Sequence, residues 1–259
     1  MSKWVLKGLQ TGIKTTSYPE REELASGVSP GLPGGKKEPG GEALPVISRC
    51  PTYALRQAEQ QILVDYRRCI HCFRCVRGVP GAVDWNSGYE WAGSMRPNND
   101  ATPRLEKVFG RSLHILFVDG GACGACMSEL EQINKPFYNI HRLGFFITPT
   151  PREADILLVA GPVTDHMELS IQKAFAAMPT PKRVLAVGAC ALSGGIFSTS
   201  FASDGGVPKL IRVDVGVPGC PPPPLAIIHG LLLSVSRKPS ASLMFSGLVD
   251  GRKKNDGNR

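Results

Sequence analysis

Eight cysteines constrain this chain more than any other feature, and their order along the sequence suggests two sets of four: Cys50 with Cys69, Cys72 and Cys75, then Cys123 with Cys126, Cys190 and Cys220. What eight thiols can do depends on the compartment. The start, Met1 to Tyr18, lacks the apolar run of a secretory signal, and nothing approaches the roughly 18 unbroken apolar residues that cross a bilayer. Arg67 and Arg68 are adjacent, but they lie deep in the chain beside a cysteine cluster and cannot act as a twin-arginine export signal. The chain is therefore expected in the cytoplasm, where thiols stay reduced and a disulfide framework does not form. Metal ligation or redox chemistry becomes the default reading.

The formal charge of +8 raises the question of nucleic acid. The basic residues are scattered, with small clusters at Lys36-Lys37, Arg67-Arg68 and Arg252-Lys253-Lys254, and no helix-turn-helix, zinc-finger or RNA-binding pattern accompanies them. A basic face that is solvated, or that meets acidic partners or anionic lipid, is the preferred account, and no nucleic acid is expected.

At 259 residues and 42% hydrophobic content the chain can hold one large domain or one medium domain with a smaller companion. Residues 1–48 read as an amino-terminal arm. Within it, Lys3 to Thr16 places Trp4, Val5, Leu9 and Ile13 near one helical face, and residues 26–45 are crowded with Gly and Pro, which deny helix and strand continuity. From Leu113 the pattern changes to short apolar runs separated by helical segments, the mark of a parallel sheet with crossover helices. Strands are expected at Leu113–Val118, Phe145–Thr148, Ile156–Ala160, Val184–Val187 and Ile211–Val213. Helices are expected over Met127–Ile140, Asp165–Met178 and about Leu225–Ser236. The fold class is α/β, and residues 237–259 read as a basic tail.

The first cysteine set has a recognisable logic. Two-cluster bacterial ferredoxins repeat CxxCxxCxxxCP, and the fourth cysteine of each repeat ligates the other repeat's cluster. Here Cys69, Cys72 and Cys75 form the triplet of a second repeat, with Val79-Pro80 where its Cys-Pro would stand, and Cys50-Pro51 is the end of a first repeat. Counting back from Cys50 by the same spacing lands on Gly40, Ala43 and Val46, none of which binds iron. Under the crossing rule the four survivors make one complete ligand set, and the four missing positions all belonged to the other. This segment, with the upstream phrase GLQTGIKTTSYPE, resembles the ferredoxin-like subunits of complex I and of membrane-bound hydrogenases over roughly the first 85 residues. The expectation is one 4Fe-4S cluster within a half-ferredoxin α+β segment at 49–105. Four thiolates also suit structural zinc, although zinc sites favour paired CxxC arms. His71, inside the triplet, reads as a partly exposed residue that tunes the cluster by its polarity.

In the second set, Cys123 and Cys126, Cys190 and Cys220 each follow a different expected strand, and loops leaving the carboxyl ends of parallel strands converge on one edge. Glycines at 120, 121, 124, 188, 194 and 195 permit close backbone approach and supply N–H donors to buried sulfur. CGAC at 123–126, GACALSGG at 188–195 and GCPPPP at 219–224 resemble the small-subunit family of nickel-iron hydrogenases, which includes the complex I 20 kDa subunit. The resemblance covers about 111–236 and implies a flavodoxin-like parallel sheet in which these four cysteines hold a second 4Fe-4S cluster.

The two-residue gap between Cys123 and Cys126 matches hydrogenases, whereas complex I proteins carry adjacent cysteines. TPREADILLVAGPVT at 150–164 is similar to segments of energy-converting hydrogenases and formate hydrogenlyases. Glu129 matches an acidic position of the family and is a candidate for proton-coupled tuning. Its other reading is an ordinary first-turn glutamate favoured by the helix dipole.

The resemblance implies a non-catalytic electron-transfer subunit of a multisubunit oxidoreductase, joined to a hydrogenase-like large subunit, further iron-sulfur subunits and integral membrane subunits at the cytoplasmic face of the membrane. A complex I-like subunit reducing quinone or another acceptor is the alternative, and a zinc-bearing assembly scaffold is the reading from another class. GGACGAC matches neither GxGxxG nor GxxxxGK[ST], so no flavin or nicotinamide is assigned. His114, His141, His166 and His229 have no ligand-like spacing.

Overall fold

The computed structural model describes residues 2–23, 27–34, 43–58, 61–77, 81, 83–96 and 112–241. The Val79-Pro80 pair, residues 26 and 35–42 of the Gly/Pro-rich stretch and most of the basic tail lie outside the described residues.

The larger unit is built on a sheet whose parallel strands are β6 (Leu113–Asp119), β7 (Phe145–Ile147), β8 (Ile156–Ala160), β9 (Arg183–Val187) and β10 (Val215–Val217). Their spatial order is β7-β6-β8-β9-β10. The chain leaves β6 to one side and returns to the other, which is the flavodoxin-like doubly wound order and puts a topological switch point at the carboxyl ends of β6 and β8.

The central strands β8 and β9 are buried on both faces because helices cover both. Ile156, Leu158, Leu185 and Val187 point into one core with Leu130 and Ile133 of helix α3 (Ala125–Ile133) and Leu225, Ile228 and Leu231 of helix α6 (Pro224–Ser234). Leu157, Val159, Val184 and Ala186, one residue out of phase, point into the other with Ile171 of helix α4 (Asp165–Ala177) and Leu192 of helix α5 (Gly188–Ser193). The period of two is the strand pleat, read on both sides.

Three boundaries differ from the sequence reading. The strand expected at Ile211–Val213 forms at Val215–Val217 instead. A 3-10 turn at Val207–Lys209 binds Leu210 and Ile211 back to Val207, and the extended pairing begins only past Asp214, whose N–H donates to Val184 and whose carboxylate accepts from the Val184 N–H at 2.7 Å. Helix α3 ends at Ile133, since Pro136 denies a helical donor and Asn139 adopts a φ of 43°. A separate 3-10 turn follows at Ile140–Leu143. At the amino terminus, helix α1 (Lys3–Thr11) stops before Thr16 at Gly12, whose φ of 66° with ψ of −165° is a backbone conformation open essentially to glycine alone. Trp4, Leu9 and Ile13 are exposed.

The smaller unit pairs β1 (Leu32–Gly34) with β4 (Asp84–Asn86) and β2 (Leu55–Ala58) with β3 (Gln61–Val64), both antiparallel. Val46 of helix α2 (Ala43–Ser48), Leu55, Ile62 and Val83 form its small core. It is stitched to the larger unit. Strand β5 (Gly93–Ser94) adds to the large sheet antiparallel to β10, and Trp91 Nε1 donates to the Pro218 carbonyl at 2.9 Å. Tyr18, from the arm, is fully buried in the larger core.

Candidate iron-sulfur sites

The first four thiols line one cavity, in which Cys50, Cys69, Cys72 and Cys75 are joined by His71, Phe73, Leu55 and Trp85. The hairpin of β2 and β3 carries Cys50 at its entrance and the triplet loop at its exit, so antiparallel pairing closes the distance between residue 50 and residues 69–75. Backbone N–H groups point at the sulfurs: Ala54 donates to Cys50 Sγ at 3.2 Å, His71 to Cys69, and Val76 to Cys75. His71 and Phe73 take φ values of 51° and 61°, a left-handed geometry that costs on the order of 1 kcal/mol or more per residue and clusters at functional sites. Here it turns the amides between the cysteines toward sulfur. Burial pushes the Cys69 thiol up to about 12, with the His71 amide opposing the shift and the three neighbouring cysteines adding to it.

The second four thiols meet at the switch point. Cys123 and Cys126 follow β6, Cys190 follows β9 in α5, and Cys220 follows β10, each after a parallel strand running to the same edge. Asp119 shapes the first loop by accepting from the N–H groups of Gly121 at 2.9 Å and Ala122 at 2.6 Å. Cys190 and Cys220 are hydrogen-bonded: the bond and burial both raise the Cys190 thiol, while the same bond lowers that of Cys220 to about 7 against the opposing effect of burial. Burial pushes Cys126 up to about 12, with Cys220 and Cys123 next in effect.

Glycine forms the walls of this site. A Cβ on Gly188 would stand 2.7 Å from Cys126 Sγ, and one on Gly195 would stand 2.8 Å from Cys190 Sγ. Only residues without a side chain let the backbone come this near the sulfurs.

A cluster needs four thiolates, N–H donors to sulfur, and close-fitting walls. Both sets supply four thiols; the first adds the amides, and the second adds the glycines. The donor chemistry of each set therefore suits an iron-sulfur group. Among the described residues no three His, Cys, Asp or Glu groups are arranged as they would be around one metal ion.

The sequence placed His71 beside the first set without revealing its burial, and held no sign of the part played by Ser193. His71 is buried, not partly exposed, and burial lowers its imidazole to about 4. Ser193, in the loop of the second set, donates to the Arg67 carbonyl beside the first at 2.8 Å. Glu129 sits half-buried in a cleft of about 400 Å³ with His71, Tyr138 and Cys220, and burial raises its carboxyl. Of the remaining histidines, His229 is structural: its Nδ1 accepts the Ala92 N–H at 3.1 Å and its Nε2 lies 3.2 Å from the Pro239 carbonyl.

Residues 123–233 match the family model described as NADH ubiquinone oxidoreductase, 20 Kd subunit, a span that includes all four cysteines of the second set. A probable membrane-bound hydrogenase subunit of Pyrococcus furiosus is 39% identical over 147 residues, covering 54% of this chain and 88% of that protein. This chain belongs to the 20 kDa-subunit family. Formate hydrogenlyase subunit 7 of Escherichia coli is also 39% identical, over 131 residues, with 51% of each chain covered. Among solved structures, the membrane-bound sulfane sulfur reductase of an archaeal respiratory complex contains a chain similar to this one at 30% identity and a TM-score of 0.46, covering 51% of this chain and 73% of that one. The family model lies wholly within the larger unit, so the cysteines at 50–75 stand outside its matched span.

Proposed function

We propose that this chain is an iron-sulfur electron-transfer subunit of a membrane-associated, energy-converting nickel-iron hydrogenase-like complex. Cys50, Cys69, Cys72 and Cys75 hold one 4Fe-4S cluster, and Cys123, Cys126, Cys190 and Cys220 hold a second. Bound there, the clusters supply one-electron carriers. The chain positions them and, at the first set, donates backbone hydrogen bonds to sulfur that tune the potential. The observation that carries this reading is the gathering of all eight cysteines into two sets of four, set close together by the Ser193 to Arg67 hydrogen bond.

The units divide the work: the smaller, with Cys50 to Cys75, exchanges electrons with a donor and other iron-sulfur subunits, and the larger, with Cys123 to Cys220, exchanges them with a large catalytic subunit. Glu129, beside the second set, is the candidate for proton-coupled tuning. No helix among the described residues is long and apolar enough to cross a membrane, so attachment runs through integral membrane subunits, at the cytoplasmic face. The description of the matching family favours a second reading, a complex I-like subunit serving quinone or another acceptor.

Iron and acid-labile sulfide per chain, with EPR of the reduced protein, test the assignment on anaerobically purified complex and on Cys72→Ser. About eight irons, falling by about half in the variant, is the expected result. Zinc in place of iron, or four irons unaffected by the substitution, overturns it in favour of a scaffold or a single-cluster subunit. Hydrogen evolution or uptake by the purified complex separates the hydrogenase-like reading from the quinone-reducing one.

A further inference from the structure

His71 lines both sites. It forms part of the cavity around the first four thiols, and it also lines the cleft that contains Cys220, Pro221 and Glu129 of the second. Its side chain is 8% exposed, and neither ring nitrogen has a hydrogen-bond partner among the described residues. Leaving a buried imidazole unsatisfied is unfavourable, and such groups are rare in folded proteins unless a ligand supplies the partner. The ring is also held in place. Trp91 meets it edge to face at 5.2 Å and Trp85 at 6.5 Å, Trp85 is itself stacked on Phe73 at 4.2 Å, and Trp91 is anchored to Pro218, two residues before Cys220.

We propose that His71 is a positioning residue that couples the two iron-sulfur sites, its clamped imidazole donating a ring N–H to sulfur of the first site while its other edge borders the Cys220 loop of the second. The inference rests on the relay reading above. A neutral imidazole has one donor and one acceptor nitrogen, so one ring can serve sulfur on one side and receive a donor on the other. The hydrogen bond stabilises the more negative, reduced state of the first site and so raises its potential. When one electron passes between the sites, one is oxidised as the other is reduced, and the imidazole keeps its proton.

The test uses the full chain with both clusters, labelled with histidine enriched in 15N at the two ring nitrogens alone, since the His71 backbone amide also points at Cys69, and studied by pulsed EPR after reduction. A 15N coupling to the reduced first cluster is expected in the native protein and is lost in His71→Gln. The redox titration adds a second readout. In His71→Leu the reduced fraction of the first cluster at a fixed applied potential falls by about tenfold, and His71→Gln, which keeps an N–H donor, recovers part of it. Eight irons with no 15N coupling, or with potentials the same in all three proteins, overturns the role of His71 and leaves the relay reading intact. A native chain without two clusters overturns both. Should His71→Leu lose iron, the 15N comparison between the native protein and His71→Gln still decides.

Discussion

Ser193 Oγ donates a hydrogen bond to the carbonyl oxygen of Arg67 at 2.8 Å, joining residues 126 positions apart in the chain. Ser193 closes the helix that carries Cys190, and Arg67 stands two residues before Cys69, so this one bond ties the loop of one cysteine set to that of the other. The same hydroxyl lies 3.2 Å from the Ala189 carbonyl and accepts from the Gly195 N–H at 3.4 Å, which fixes the loop end of the contact. Replacing Ser193 by Ala removes a part-buried hydrogen bond and should lower stability by about 1 kcal/mol with iron content unchanged. The midpoint of chemical denaturation reads this directly, and an unaltered midpoint would show that the two units are joined by other contacts alone.

The second set should be separable from the first. Cys126→Ser is expected to leave about half of the native iron, with the EPR signal of the first cluster retained, and the double variant with Cys72→Ser should leave almost none. Loss of all iron from either single variant would mean that the two sites do not assemble independently.

Glycine 188 offers a steric test. Gly188→Ala would place a methyl group 2.7 Å from Cys126 Sγ at a φ of 89°, so both the space and the backbone oppose it. Iron bound by the second set should fall while that of the first persists. Gly8→Ala is the control, because a Cβ there meets nothing within 4 Å and alanine favours a helix. Equal iron in the two variants would refute the tight glycine wall.

His229 makes a pH prediction. Burial lowers its folded-state pKa below the ordinary value, with the nearby Lys238 adding to the effect and Glu90 and the Pro239 carbonyl opposing it. The unfolded chain therefore binds more protons just below about pH 6.5, so His229's contribution to stability is present above that pH and lost as pH falls through the interval down to the folded value. His229→Gln should flatten this part of the stability profile, measured by denaturation between pH 5 and 8. An unchanged slope would assign the acid sensitivity to other groups.

Much of the larger unit was legible in the sequence because its strands are buried on both faces. Ile156–Ala160 is a continuous apolar run of strand length, the pattern of a central parallel strand. Ile211–Val213 misled because two β-branched residues flank Arg212 in a strand-like alternation, yet Pro208 and the turn at Val207 engage Ile211 locally, and the strand starts beyond Asp214. Tyr18 was not identifiable as core because its burial depends on residues more than a hundred positions away, among them Ile140 and Phe145.

Cysteine spacing by itself determined which thiols belong together, because a ligand triplet and loops at strand ends leave local signatures that need no knowledge of packing. The doubly wound fold was equally local in origin, arising from short apolar runs alternating with helices. Tertiary structure decided what lies between the two sets. His71 belongs to the first by sequence, but its burial, its two unpartnered nitrogens and its place in the wall of both cavities arise from Trp85, Trp91 and the Cys220 loop closing around it. A side chain's solvent exposure is a property of everything packed around it, and residues 85, 91 and 220 reach position 71 only when the chain has folded.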